Sequence, residues 1–242
     1  LGYQVLQNNT TGNYNTGTGV YALLNSSNGT NNVANGYQAL NSNLGGSFNT
    51  ATGNLALSSN VAGGFATAIG YGAMSNSNNT STSFINTNVA VGFEAFKGSG
   101  TPANNTGLNN TAIGYQTLSS NASGIDNTAI GYQGLFNNTG SFNTATGSRA
   151  LYSNTGGGNT ANGNQALKSN LDGNDNTATG TKALWTNTMG SGNTSLGAFS
   201  LYLNGTGDEN TAVGISSLYS NISGNKNSGL GIGALSANQT GS

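Results

Sequence analysis

The feature that most constrains the fold is a short phrase that returns from one end of the chain to the other. It reads Asn-Thr-Ala-Ile-Gly-Tyr-Gln-Gly-Leu at 127–135. Its glycine recurs mostly at steps of 17 residues, with two steps of 16 and two of 22, at Gly2, Gly19, Gly36, Gly53, Gly70, Gly92, Gly114, Gly131, Gly147, Gly163, Gly180, Gly197, Gly214 and Gly231. A short fixed period is typical of stacked coils, each of which contacts only its neighbours. We therefore predict an all-β parallel β-roll, or β-solenoid, of about 14 coils with a 17-residue period.

Aligning the copies gives columns of residues that predict the path of each coil. An Asn column stands four residues before the glycine, and it is followed by a Thr or Val column, an Ala column and a variable fourth column. Because side chains alternate across a strand, the Thr and fourth columns should share one face, with Ala on the other. Asn side chains in register can bond their own image one coil away. The glycine fits a tight turn.

The second half of each copy predicts a second short strand and a closing loop. The strand should end at a column that is apolar in every copy, mostly Leu, with Met74 and Phe96 as variants. We assign this column to the core. The residues that follow carry the pattern Asn-x-x-Gly, which is typical of turns and predicts a surface loop. Residues 1–242 then form a single β-solenoid domain, which we interpret as a segment of a longer array.

Composition argues against several classes of function. Only 5% of residues are charged, the net charge is -1, and the chain has neither cysteine nor histidine. We therefore expect no nucleic-acid binding, which needs a basic patch, no metal site, no cofactor and no catalytic residues, so the chain should not be an enzyme. The few acidic residues lack the repeated spacing of calcium β-rolls. No apolar run approaches the roughly 20 residues of a membrane helix, so we expect no membrane insertion in this segment.

The size of the core predicts that the chain does not act alone. Each coil offers one large apolar side chain, worth roughly 2 kcal/mol when buried, against an ordering cost of roughly 1–2 kcal/mol per residue. The Ile, Val and Leu of the fourth column would also lie outside the core. Packing several copies side by side would bury them, so we expect a homo-oligomer, most simply a trimer.

The repeats resemble those of a known family. The sequences Asn-Thr-Ala-Ile-Gly at 110–114 and 127–131 and Asn-Thr-Ala-Val-Gly at 210–214 are similar to head-domain repeats of trimeric autotransporter adhesins, and similar repeats occur in bacteriophage tail fibres. The resemblance implies a parallel β-roll with three chains side by side, an extracellular, cell-surface or virion location, and an adhesive or structural role. A host-surface protein or glycan would then be the partner. The adhesin repeat is usually shorter and lacks the Ala-Leu and Asn-x-x-Gly elements.

Two adjacent coils are enlarged, at 75–87 and 97–108, and these loops are the first candidates for binding. Loops on a rigid scaffold commonly carry binding residues, although insertions in solenoid loops are also often idle. Both insertions follow the same part of the coil, so we expect them one above the other. The candidate residues are Asn78, Asn79, Thr80, Phe84, Lys97, Thr101, Pro102 and Asn104.

Three further patterns are open to more than one interpretation. Aromatic residues directly after the glycine, such as Tyr71 and Tyr115, can stack on sugars or simply pack in the turn, and we favour turn packing. The Thr column raises ice binding, but its companion column mixes Ile, Leu and Asn with Thr. Acceptor sequences for N-linked glycans, which also arise by chance in so Asn-rich a chain, occur at Asn9, Asn28, Asn121, Asn137, Asn204, Asn221 and Asn238.

Overall fold

The chain is an all-β parallel β-solenoid of about 13 turns. The structure is a computed structural model that describes residues 1–241. It divides into two compact units, one formed by residues 1–126 and the other beginning at Asn127. The strands in the first unit are β1 (Thr16–Thr18), β2 (Val33–Asn35), β3 (Thr50–Thr52), β4 (Gly63–Gly64), β5 (Thr67–Ile69), β6 (Phe84–Ile85), β7 (Val89–Val91) and β8 (Thr111–Ile113). A 3-10 turn spans Pro102–Asn104.

The second unit repeats the same architecture. Its strands are β9 (Thr128–Ile130), β10 (Asn137–Asn138), β11 (Thr144–Thr146), β12 (Ser153–Asn154), β13 (Thr160–Asn162), β14 (Thr177–Thr179), β15 (Thr194–Leu196), β16 (Thr211–Val213) and β17 (Ser228–Leu230). In each unit the three-residue strands of successive phrases pair in parallel, and Ala pairs with Ala through most of the register. The phrase at Gly2 contributes no strand, because only Leu1 precedes its glycine, so the turns number about one fewer than expected.

The alternation predicted for the phrase is confirmed. In β5, β8 and β9 the central Ala is fully buried while the residues on either side are half-buried or exposed. The glycine that follows must remain glycine. Gly53 has φ +129, and a Cβ there would lie 2.5 Å from the carbonyl oxygen of Gly70 in the next coil, a separation that side chains do not tolerate.

The predicted second strand is wrong. The residues after each glycine form a run of turns in which two positions adopt positive φ, such as Gln38 at 54° and Leu40 at 50°. This backbone curls inward too tightly to be a strand, because strand geometry needs a negative φ at each residue. It still bonds to both neighbouring coils: the Gln38 amide donates to the Val20 carbonyl at 2.9 Å and the Leu40 amide to the Ala56 carbonyl at 3.0 Å.

The Leu column lies in the core as predicted, except in the terminal coils, where Leu6 is half-buried and Leu235 is 50% exposed. Two columns of Asn line the interior beside it. Leu23, Leu40, Leu57 and Met74 are fully buried. In the expected Asn ladder, Asn49 donates its Nδ2 to Asn32 Oδ1 at 3.2 Å and to the Gly63 carbonyl at 2.9 Å. Each Asn side chain of this ladder therefore hydrogen-bonds to the neighbouring coil and also links two segments of its own coil.

The second Asn ladder was not predicted, since the Asn-x-x-Gly segment was expected at the surface. Asn60 is fully buried, and its Nδ2 donates to Asn43 Oδ1 and to the Gly63 carbonyl, both at 2.9 Å. The same pattern recurs in the second unit, where Asn204 donates to Asn187 Oδ1 at 2.8 Å. With the closing loop folded inward, its Asn and the Asn of the first ladder both donate to the carbonyl of the loop glycine, so this buried carbonyl is paired.

Candidate functional site

The enlarged loops of the first unit lie one above the other, as expected, and are joined by side chains that the sequence did not single out. The Asn76 amide donates to the Lys97 carbonyl at 2.9 Å, and Asn76 Nδ2 donates to the Ser99 carbonyl at 3.2 Å. Asn105, which is nearly buried, donates its Nδ2 to the Asn76 carbonyl and accepts the Ser99 amide at 2.8 Å. The two insertions are therefore held together by amide side chains that span both of them.

The eight candidate loop residues do not form one site. Asn79, Thr80, Thr101 and Asn104 are exposed at the loop tips, whereas Asn78 is nearly buried and accepts the Thr80 amide at 2.9 Å. Pro102 is half-buried at the start of the 3-10 turn.

Lys97 belongs to a separate polar cluster at the base of the second loop. Its Nζ lies 2.8 Å from Glu94 Oε1, and Gln116 Nε2 donates to Glu94 Oε2 at 2.8 Å. The hydrogen bond from Lys97 lowers the pKa of Glu94, partly offset by burial and aided by the bond from Gln116. Lys97 is therefore already paired with an acidic residue of its own coil.

Phe84 lines a cleft. Strand β6 pairs with β4 of the preceding coil, with Gly63 opposite Phe84 and Gly64 opposite Ile85. This pairing folds the first insertion back over the coil below it. The resulting open cleft has a volume of about 270 Å³ and is lined by Gly45, Ser47, Phe48, Ala62, Gly64, Phe65, Ser83, Phe84 and Ile85.

Two stacked phenylalanines form one wall of this cleft. The rings of Phe48 and Phe65 are 5.0 Å apart and 9° from parallel, and about half of each side chain is exposed. Both residues stand just before the Asn column with φ of 60° and 72°, which directs their side chains away from the coil. The cleft suits a small apolar group. The sequence reasoning missed both rings because it looked for aromatic residues only after the glycine.

The aromatic column after the glycine has the geometry of turn packing. Tyr71, Phe93 and Tyr115 stack at ring separations of 5.2 Å, within 10° of parallel. Parallel rings this close overlap as offset stacks, so each ring covers part of the next. A sugar platform needs free ring faces, and this arrangement presents mainly ring edges.

The second unit carries an aromatic and basic surface that the sequence reasoning also missed. We call it the aromatic–cationic strip. It consists of the column five residues after the glycine, together with two neighbouring cations, and its members are Phe136, Tyr152, Lys168, Trp185, Tyr202, Tyr219, Arg149 and Lys182. All of these side chains are half-buried. The sequence could have indicated this strip, because the column five residues after the glycine is mostly aromatic in the second unit and contains no aromatic residue in the first.

The predicted glycan acceptors fall into two groups. Asn121, Asn204 and Asn221 are fully buried in the second Asn ladder, and each donates its Nδ2 to the carbonyl of the glycine three residues later at 2.9–3.0 Å. A glycan on that nitrogen is incompatible with this fold. Asn9 and Asn238 occupy the same column and are half-buried, whereas Asn28 and Asn137 are exposed.

The acidic residues and the Thr rank form further exposed surfaces. Asp172, Asp175, Asp208 and Glu209 are exposed, and no group of three His, Cys, Asp or Glu residues within residues 1–241 could hold a metal ion. The exposed Thr rank pairs in register through β11, β13 and β14, and its companion rank reads Thr146, Asn162, Thr179. No helix in the described part of the chain is long and apolar enough to cross a membrane.

Comparison with known proteins gives no assignment. No protein-family model, no curated protein and no solved structure matches the chain.

Proposed function

We propose that this chain is a segment of an extracellular fibre with a structural and surface-attachment role and no catalytic activity. In this proposal, identical chains pack side by side, most simply as a trimer, and the fibre belongs either to a cell-surface adhesin or to a bacteriophage tail. The resemblance of the Asn-Thr-Ala-Ile-Gly repeats to adhesin head repeats supports it. Rigidity supports it as well, since successive coils are tied together by strand pairing and by two ladders of buried amides.

The observation that carries the proposal is an exposed apolar patch on the first unit. On three successive coils an aliphatic residue precedes the phrase glycine and an aromatic residue follows it. The six residues are Ile69, Tyr71, Val91, Phe93, Ile113 and Tyr115. Ile69 and Ile113 are 40% and 38% exposed. We call this set the apolar patch.

The apolar patch is not required by the coil interior, which is filled by Ala, Leu and Asn. Other coils of the same unit have Thr18, Asn35 or Thr52 where the patch has Ile or Val, and they keep the same strand geometry. Contiguous exposed apolar surface of this kind commonly marks an interface. A second copy of the same chain is the simplest partner, because every copy presents the same patch at the same height.

Sedimentation equilibrium of the native protein tests the proposal, with the double variant Ile69→Thr/Ile113→Thr as the probe. Thr already occupies this column at Thr52, so the coil should fold and self-association should weaken about tenfold or more, since each isoleucine contributes on the order of 1 kcal/mol per contact. Ile222→Thr makes the same chemical change at an exposed isoleucine of the second unit and serves as the control. A wild-type protein that sediments as a stable monomer contradicts the proposal, as does equal dissociation of the probe and the control.

A further inference from the structure

The aromatic–cationic strip concentrates most of the positive charge of this protein on one surface. The chain contains five basic residues, and three of them, Arg149, Lys168 and Lys182, lie on three successive coils of the second unit. Coils of a parallel ladder are about 4.8 Å apart, so these three cations form a short row along the strip.

The row of cations is held in place by aromatic rings. Lys168 Nζ and Lys182 Nζ lie 5.6 Å and 5.8 Å from the centre of the Trp185 ring. Arg149 Cζ lies 5.6 Å and 5.9 Å from the rings of Tyr132 and Tyr152. Cation–π contacts of this length order the side chains without neutralising them.

Among residues 1–241, these charges form no ion pair. The ion pairs of the described residues are Lys97 with Glu94 and Lys226 with Glu209, and neither involves the strip. The acidic residues of the second unit stand instead in the closing loops, nine to twelve positions after the glycine. Charge is therefore segregated around the coil, and the strip presents uncompensated positive charge.

One polar atom of the strip is also unsatisfied. The indole Nε1–H of Trp185 is buried and has no hydrogen-bond acceptor within residues 1–241. A buried donor without a partner is destabilising, so an acceptor that reaches it is bound favourably. The ammonium groups of Lys168 and Lys182 lie near the same ring, so an anionic group that pairs with them is brought close to this donor.

We infer that the aromatic–cationic strip is a binding site for a linear acidic polysaccharide, whose uronate or sulfate groups pair with Lys168, Lys182 and Arg149. Such a chain repeats its anionic groups along its length, as the strip repeats its cations from coil to coil. Its hydroxyl groups match the polar ring edges of Tyr202 and Tyr219. The inference deepens the attachment role proposed above, because it assigns the chemical class of the surface to which the fibre attaches.

The ring geometry disfavours a single-stranded nucleic acid, whereas a polysaccharide would be recognised here through its anionic and hydroxyl groups and not by stacking on ring faces. Sequence-independent binding of single strands uses free aromatic faces on which bases stack. Here Trp185 and Tyr202 stack at 5.1 Å, and Tyr202 and Tyr219 at 5.0 Å, all within 9° of parallel. The faces between coils are therefore largely covered, and bases find no platform.

Intrinsic fluorescence gives a direct test, because Trp185 is the only tryptophan of the chain. The native protein is titrated with size-defined polygalacturonate and with a sulfated heparin-type oligosaccharide, which distinguishes uronate from sulfate recognition. Neutral dextran and a single-stranded oligonucleotide of equal charge are titrated in parallel. We expect a saturable change in emission with at least one acidic oligosaccharide, weakened by added salt, and none with dextran.

Two matched double variants locate the site. Lys168→Gln/Lys182→Gln and Lys97→Gln/Lys226→Gln each remove two positive charges, but only the first pair lies in the strip. The first should weaken binding by about tenfold or more, since it removes two of the three cations of the strip, and the second should leave it unchanged.

The inference is overturned by any of four results: no emission change with either acidic oligosaccharide, equal binding of dextran, tighter binding of the oligonucleotide, or equal loss in the two double variants. Sedimentation equilibrium of the same samples measures the oligomeric state, so that a failure of glycan binding is distinguished from a failure of the fibre proposal. An intact oligomer that binds no glycan contradicts the strip alone.

Discussion

Replacing Ser26 with Asn should stabilise the protein, because this position interrupts the second Asn ladder. Ser26 is fully buried and its Oγ has no hydrogen-bond partner among the described residues. In the coil below, Asn9 Oδ1 is buried and unpaired as well. The same two defects recur where Ser77 follows Asn60. A short side chain in this column therefore leaves two buried polar atoms unsatisfied.

The regular part of the ladder gives the expected gain. There, Asn60 Nδ2 donates both to Asn43 Oδ1 and to the Gly63 carbonyl. An Asn at position 26 would donate in the same way to Asn9 and to the Gly29 carbonyl, and would accept from Asn43. Each hydrogen bond contributes about 0.5–1.5 kcal/mol net, and ordering the longer side chain costs about 1 kcal/mol. We expect Ser26→Asn to raise the free energy of unfolding by about 2 kcal/mol.

Urea unfolding followed by circular dichroism measures this gain, and hydrogen exchange over residues 19–60 locates it. Local exchange is needed because coils of a repeat protein can unfold separately. Ser120→Asn, at an exposed position of a similar turn, is the control and should change nothing. Asn187→Ser creates the defect in an unbroken part of the ladder and should destabilise by a similar amount. An unchanged or lowered urea midpoint for Ser26→Asn would refute the ladder argument.

Three further changes test the backbone and the perturbed carboxyl of Glu94. Gly53→Ala should cost at least about 3 kcal/mol in urea unfolding, because its Cβ would meet the Gly70 carbonyl at positive φ, whereas Gly100→Ala, which has open space, should be near neutral. Lys226 is exposed and has φ of 57°, so Lys226→Gly should be about 0.5–1 kcal/mol more stable than Lys226→Ala, which keeps the strained conformation; equal stability would contradict this. Glu94 has a lowered pKa, mainly through Lys97, so its stabilisation is present above the unfolded-state pKa and is lost as the pH falls through the lowered value. Urea midpoints at pH 7 and pH 3 should therefore differ more for the wild type than for Glu94→Gln, and an equal difference would argue against this ion pair.

The period and the columns of the sequence determined the architecture. Regular recurrence of Ala and Gly leaves few ways to stack the chain, because Ala at a buried strand position and Gly at a crowded turn each fit one kind of environment. The buried Leu column, the Asn ladder before the strand and the stacking of the two enlarged loops followed from spacing alone. The sequence also indicated Phe84 as a candidate loop residue, although not the cleft that it lines.

Only the tertiary structure decided the path after the glycine and the surfaces that path creates. A left-handed backbone at Gln38 and Leu40 carries little signal in residue type, since tertiary contacts impose it on side chains that do not favour it. The same inward curl buries Asn121 and Asn204, which the pattern Asn-x-x-Gly had placed at the surface. It also brings Lys168 and Lys182, which are 14 residues apart in the sequence, over the single ring of Trp185. That juxtaposition depends on how one coil lies upon the next, and no single copy of the repeat contains it.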